Sequence, residues 1–309
     1  MIKKLASNKI FATFAAIFCC ALWGISTPIV KIGYNHIDEA HVPSLLLWVG
    51  LQFVVSGVLT ICVYSAVSKK LLLPKKENVK GVVIVSMLQT VLQYALLYIG
   101  LSLTTSVKGA ILKSTDVFFV VLIASLIFKL EKLTAKKLIA CVIGFSGVVI
   151  MNLDGLSFNI NPLGDGLVLI GIISYSFSVV MTKLFAEKED PIVLCGYQMS
   201  LGGAVLSLIG LVFNGKFDFV KMMPVFVCLS LIYAVSYTMW TILLKYNQPS
   251  SVTIYSFMMP VFGVIFSSLL LSESGGVATV NLIIALVFVC AGILLWGYEK
   301  QGKDRIKNL

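Results

Sequence analysis

Charge is what this chain has least of. Only 12% of its 309 residues are Asp, Glu, Lys or Arg, against roughly 25% in a soluble domain. Arginine occurs once, as Arg305, and histidine twice, as His36 and His41 in one short connection. An enzyme working on lipid-linked or small substrates gathers acids, histidines or arginines near one interface, and no such gathering exists here. There is no G-x-x-x-x-G-K-[S/T] loop, so no ATP-driven pump is encoded. H-E-x-x-H, G-x-S-x-G and a selectivity-filter sequence are absent too. Seven cysteines are present but none forms a C-x-x-C pair. They read as small buried hydrophobes rather than a metal or redox site, and no cofactor is implied.

Apolar residues fill the space that charge leaves. They make up 59% of the chain, and mean hydropathy is +0.99. The class is therefore an all-α polytopic membrane protein. Ten segments have the roughly 17–25 apolar residues that a spanning helix needs. They are 10–33, 43–66, 80–101, 106–128, 135–153, 163–185, 191–213, 222–244, 250–271 and 277–296. The run 11–33 is too long for a signal-peptide core and is read as a retained first span.

The net charge of +10 does not point to nucleic acid, because the lysines cluster in short connections between apolar runs. Alternate connections hold Lys69, Lys70, Lys75 and Lys76, then Lys129, Lys132, Lys136 and Lys137, then Lys183 and Lys188, and the tail adds four more basic residues. The opposite side has only Lys216 and Lys221. Such a bias predicts a cell (cytoplasmic) membrane protein with both termini in the cytoplasm and contacts to membrane lipids. Oligomeric state is not encoded in any of these features.

Ten spans divide into five and five, and halves with an odd number of spans insert in opposite orientations. The expected units are 1–155 and 156–309. Trp23…Lys31 matches Tyr175…Lys183 at equal spacing, and Gly50-Leu51-Gln52…Gly57 matches Gly196-Tyr197-Gln198…Gly203. Ser106-Val107 opens span four as Ser251-Val252 opens span nine, and both close at a glutamate, Glu131 and Glu273. Together with ALWGISTPIVK at 21–31, a proline-led second span and LEKLT at 130–134, this layout resembles the EamA-type carriers of the drug/metabolite transporter superfamily. Two departures stand out. Tyr175-Ser176 replaces Trp-Gly, and Gln52 and Gln198 stand where members of that family often carry arginine. The resemblance implies a ten-helix metabolite carrier, often acting in efflux. It also implies a central cavity lined by spans one, three, four, six, eight and nine.

Span four carries the least expected residues, Lys108, Lys113 and Asp116. Intramembrane charges are costly and face a protein interior or a water-filled cavity. Lys113 and Asp116 are three apart, so on a continuous helix they share a face and can pair. Either they hold substrate and a coupled proton, or they form a structural ion pair. Lys108 lies near the span end, where snorkelling is easy. Span one offers Trp23, Ser26, Thr27 and Pro28, and span nine Tyr255, Met259 and Pro260. Each proline removes a helix hydrogen bond and can open a break beside a cavity. Gln93 and Tyr98 in span three, Tyr175 in span six, and Tyr237 and Trp240 in span eight complete the candidate wall. These residues are either packing or a binding surface for a small amphipathic substrate, such as an amino acid or related compound. The expected activity is secondary transport driven by a gradient of the substrate or a coupled proton. A polytopic membrane enzyme is the alternative.

Overall fold

The computed structural model describes residues 2–38, 40–153, 161–271 and 279–307. Among the described residues every regular element is helical. A short helix, Ile2–Ala6, leads into ten long ones. These are α1 (Lys9–Tyr34), α2 (Val42–Ser68), α3 (Lys76–Leu101), α4 (106–127) and α5 (Ala135–Met151). The second set is α6 (Pro162–Lys188), α7 (Pro191–Val212), α8 (Phe219–Tyr246), α9 (Pro249–Leu270) and α10 (Thr279–Lys307). Nine are long and apolar enough to cross a membrane. The tenth, α5, has 17 residues and sits at the short end of the spanning range, about 17–25 residues.

Helix is dictated by the solvent. A bilayer interior offers no water to backbone N–H and C=O groups, so each span must satisfy them internally. The starts are written locally. Proline occupies the first turn of α2, α6, α7 and α9, where its missing N–H is not needed. Asn8, Thr105, Thr134, Asn161, Asp190 and Asp218 each accept a first-turn N–H through the side chain, the usual satisfaction of orphan donors.

Packing follows a regular scheme. The most extensive pairs are α2 with α7 and α5 with α10. Around them α1 contacts α8 and α9, while α6 contacts α3 and α4; α2 touches α8 as α7 touches α3. The α2–α7 crossing is tight because both helices present glycine. A Cβ on Gly203 would lie 2.5 Å from the Gly50 carbonyl oxygen and 2.7 Å from the Val54 nitrogen. Small residues let membrane helices approach this closely.

The main core runs through the middle of the bundle and gathers Trp23, Trp48, Phe53, Tyr237 and Trp240. Many large apolar side chains, such as Phe14, Phe18, Val63 and Leu208, remain exposed, as a lipid-facing surface requires. The cysteine expectation needs correcting in part. Cys19, Cys20, Cys141 and Cys195 are buried, but Cys62 and Cys228 are exposed and Cys290 is partly so. Their apolar runs face outward, where lipid replaces protein as the apolar surrounding.

Candidate functional site

The site is built around a break in α4. Helix runs over Ser106–Lys113 and resumes at Asp116. Between them Ser114 and Thr115 leave the helical register. Their hydroxyls donate back to the carbonyls of Ala110 (3.0 Å) and Leu112 (2.6 Å), which also accept the backbone N–H groups of Ser114 and Thr115. The helix ends in a π-helical stretch, Ile123–Ile127, and α3 contains another, Ser86–Leu92, directly before Gln93. Such π segments occur often at functional sites.

The break corrects the expected pairing of Lys113 with Asp116. The two do not share one continuous helix, and among the described residues they form no ion pair within 4.0 Å. Lys113 closes the first piece and Asp116 opens the second, at the positive end of a helix dipole, where a carboxylate is stabilised. Asp116 is buried, and its Oδ1 has no hydrogen-bond partner. Its backbone carbonyl accepts from Ser176 Oγ on α6 at 3.3 Å. Lys113, at the end of the first piece, is exposed.

Lys108 also departs from expectation. It does not reach for water alone but forms an ion pair with Asp165 of α6 at 3.2 Å, with 12% of its side chain exposed. Thr104 donates to the same carboxylate, and Asn161 donates to the Leu103 carbonyl at 2.7 Å. These bonds bind the α3–α4 connection to the start of α6.

Aromatic side chains form the facing wall. Trp23 meets Tyr237 and Trp240 edge-on, with ring centroids 5.4 and 4.9 Å away. Tyr237 and Tyr94 share a hydroxyl hydrogen bond of 2.9 Å, and Tyr98 lies 6.2 Å from Tyr94. Phe53 stacks on Tyr233 at 5.5 Å and meets Tyr94 edge-on at 4.9 Å. Tyr175 joins the wall to the acid, since both Asp116 and Tyr94 are its electrostatic neighbours. The indole N–H groups of Trp23 and Trp240 and Oε1 of Gln93 are buried without hydrogen-bond partners.

The remaining candidates divide. Ser26 is buried and donates to the Trp23 carbonyl at 2.6 Å, while Thr27 is exposed. Pro28 is buried inside α1, which continues through it to Tyr34. The expected break there does not occur; α9 packs alongside at Gly24, where a Cβ would lie 3.0 Å from the Gly263 nitrogen. In α9 the irregularity is real but precedes the proline. A 3₁₀ turn, Ile254–Phe257, separates two α-helical pieces, and Pro260 sits in the first turn of the second. Met259 is half-buried against the main core. Tyr255 is drawn away from the wall, its hydroxyl 2.7 Å from that of Thr13 near the start of α1. Glu273 lies outside the described residues.

Phe53, Tyr94 and Tyr233 belong to the wall; Tyr94 and Tyr233 lie on the expected stripes of spans three and eight, and Phe53 alone of the three was not expected there. Tyr94 carried a signal, since it stands one helical turn before Tyr98. Phe53 carried none. An open depression of about 520 Å³ between the α1–α2 and α7–α8 connections is lined by Asn35, His36, Asp38, Lys216 and Lys221 among others. It is a polar surface feature, and no site residue lines it.

The chain matches the model of the EamA-like transporter family over residues 10–153 and 162–298. It is 25% identical over 286 residues to the uncharacterized transporter YvbV of Bacillus subtilis, covering 90% of this chain and 88% of that one. It is 24% identical over 280 residues to the uncharacterized transporter YoaV of the same organism, covering 89% and 92%. A solved crystal structure of a protein aligns with a TM-score of 0.74 at 17% identity, over 93% of this chain and 97% of that one, a likeness of fold. Nine helices long and apolar enough to cross a membrane among the described residues and the two matched segments agree: this multi-pass membrane protein belongs to the EamA-like transporter family.

Proposed function

We propose that the protein is a secondary carrier that moves a small amphipathic metabolite, an amino acid or related compound, out of the cell by alternating access. The observation that carries this reading is the placement of Lys113 and Asp116 on either side of the α4 break, beside a wall of tyrosine and tryptophan. Two opposite charges that are not joined in a direct ion pair suit the carboxylate and amine of a zwitterion, and the wall suits its apolar body. Lys113 holds the anionic group. Asp116 holds the cationic group or exchanges a coupled proton.

The two halves, 1–155 and 156–309, act as inverted repeats. Supporting this is the paired pattern of contacts, in which α1 relates to α8 and α9 as α6 relates to α3 and α4. Under the lysine bias the ends of the helices near Lys9, Lys75 and Lys188 face the cytoplasm.

The test is uptake of a panel of radiolabelled amino acids and related metabolites into proteoliposomes, with and without a pH gradient. Accumulation of at least one zwitterion is expected. Hydrolysis or group transfer in place of flux would overturn the reading.

A further inference from the structure

The two interrupted helices differ in how firmly their short pieces are held. In α4 the short piece is Ser106–Lys113, and of residues 107–113 only Gly109 is buried. In α9 the short piece is Pro249–Thr253, and Pro249, Ser250, Val252 and Thr253 are all buried. The short pieces lie at opposite ends of the bundle, because α4 begins at one end and α9 at the other. The α9 piece is thus packed into the protein, while Lys113 and Thr27, towards the other end, are exposed.

One carboxylate holds the packed piece. Glu131, just past the end of α4, has no exposed side-chain surface. It accepts the hydroxyl of Ser250 and, at 3.3 Å, the backbone N–H of the same residue. It also forms an ion pair with Lys137 in the first turn of α5. Lys137 in turn lies 5.2 Å over the ring of Trp296 on α10, and the Trp296 N–H donates to Ser251 at 3.4 Å. Four helices thus meet at one acid: α4, α5, α9 and α10. Beside them Tyr255 bonds Thr13 of α1 and accepts the thiol of Cys20 on its carbonyl at 3.2 Å. These contacts tie α9 to α1 beside it.

We infer that Glu131 is a gate latch: it clamps the short first piece of α9 through Ser250, keeps the lysine-rich end closed while the opposite end is open, and must release Ser250 before substrate can pass. This rests on the reading of the protein as an alternating-access carrier. The charge of Glu131 is offset permanently by Lys137, so release costs one serine contact and not a bare buried charge. A bound carboxylate with both partners removed would be prohibitive in this setting. A carboxylate that keeps its lysine while surrendering a hydroxyl and an N–H is a reversible catch.

The experiment reads sidedness and needs no flux. Full-length protein in membrane vesicles with the lysine-rich face outward is treated with a membrane-impermeant maleimide, and labelled cysteines are located by mass spectrometry. Cys20 is the reporter, since it is fully buried between Asp116 and the gate. Cys62 and Cys228, which face lipid, are expected to stay unlabelled and serve as internal negative controls. Loss of one hydrogen bond to a charged acceptor shifts the closed-to-open ratio by roughly tenfold. Ser250→Ala is therefore expected to speed Cys20 labelling about tenfold, with Glu131→Gln doing at least as much. If Glu131→Gln fails to fold, Ser250→Ala, which keeps the ion pair, decides. Unchanged Cys20 labelling in folded Ser250→Ala would overturn the latch, even if the protein transports. Faster labelling in a protein without measurable flux would keep the latch and remove the carrier reading.

Discussion

Substituting Gly203 by alanine tests how the α2–α7 crossing supports the site. The new Cβ would stand 2.5 Å from the Gly50 carbonyl oxygen, 2.7 Å from the Val54 nitrogen and 2.9 Å from the Phe53 Cβ. The first two are backbone atoms of α2, so no rotamer change relieves the overlap and the helices must move apart. Overpacking of this kind costs about 1–3 kcal/mol, and gains in helix propensity, about 1 kcal/mol for Gly to Ala, offset only part of it. The consequence reaches the wall, because Phe53 stacks on Tyr233. Gly166 provides the control, since a Cβ there meets nothing within 4 Å. Thermal unfolding in detergent, followed by intrinsic fluorescence, is the assay. Gly203→Ala is expected to lower the apparent Tm by several degrees, at roughly 2–4 °C per kcal/mol, while Gly166→Ala leaves it unchanged or raises it. Equal behaviour of the two variants would refute the close-crossing argument.

Other consequences can be checked separately. Phe53→Ala removes a fully buried ring and is expected to cost about 3–5 kcal/mol, seen as a lowered Tm with weakened substrate protection. Lys108→Met leaves Asp165 without its ion pair; a Tm that does not fall would mean the 3.2 Å contact contributes nothing. Glu189, between α6 and α7, is pushed up by burial. Donation from the Lys75 N–H, the Asn78 amide and the Asp190 N–H outweighs this and holds its carboxyl below the usual range. Its folded pKa is thus depressed, so its stabilisation is complete above the ordinary glutamate value, about 4.3, and is lost as pH falls through the folded value. A Tm gap between wild type and Glu189→Gln should be present at neutral pH and vanish in acid; a gap that persists at low pH contradicts the linkage.

Much of the architecture is legible in the residues themselves. Hydropathy locates the spans, and Pro43, Pro162, Pro191 and Pro249 mark four of their starts. The charges of α4 point to the site because a bilayer penalises them. What they do there is less legible. Periodicity puts Lys113 and Asp116 on one face, but it presumes a continuous helix, and the break at Ser114–Thr115 is stabilised by hydroxyl back-bonds that leave little trace in a hydropathy pattern. Lys108 finds its partner 57 residues away on another helix, a distance no local rule covers. Pro28 misleads in the other direction, since the helix continues through it to Tyr34. Phe53 enters the wall from α2 through the glycine crossing, a tertiary effect.

The most direct test of the central claim is exchange flux in proteoliposomes for wild type, Asp116→Asn, Lys113→Met, and the double variant Lys113→Met with Asp116→Leu. The proposed mechanism predicts loss of pH-gradient coupling in Asp116→Asn, loss of preference for carboxylate-bearing substrates in Lys113→Met, and no flux in the folded double variant. A double variant that folds and transports like wild type would contradict it, because the two charges beside the α4 break would then have no part in moving substrate.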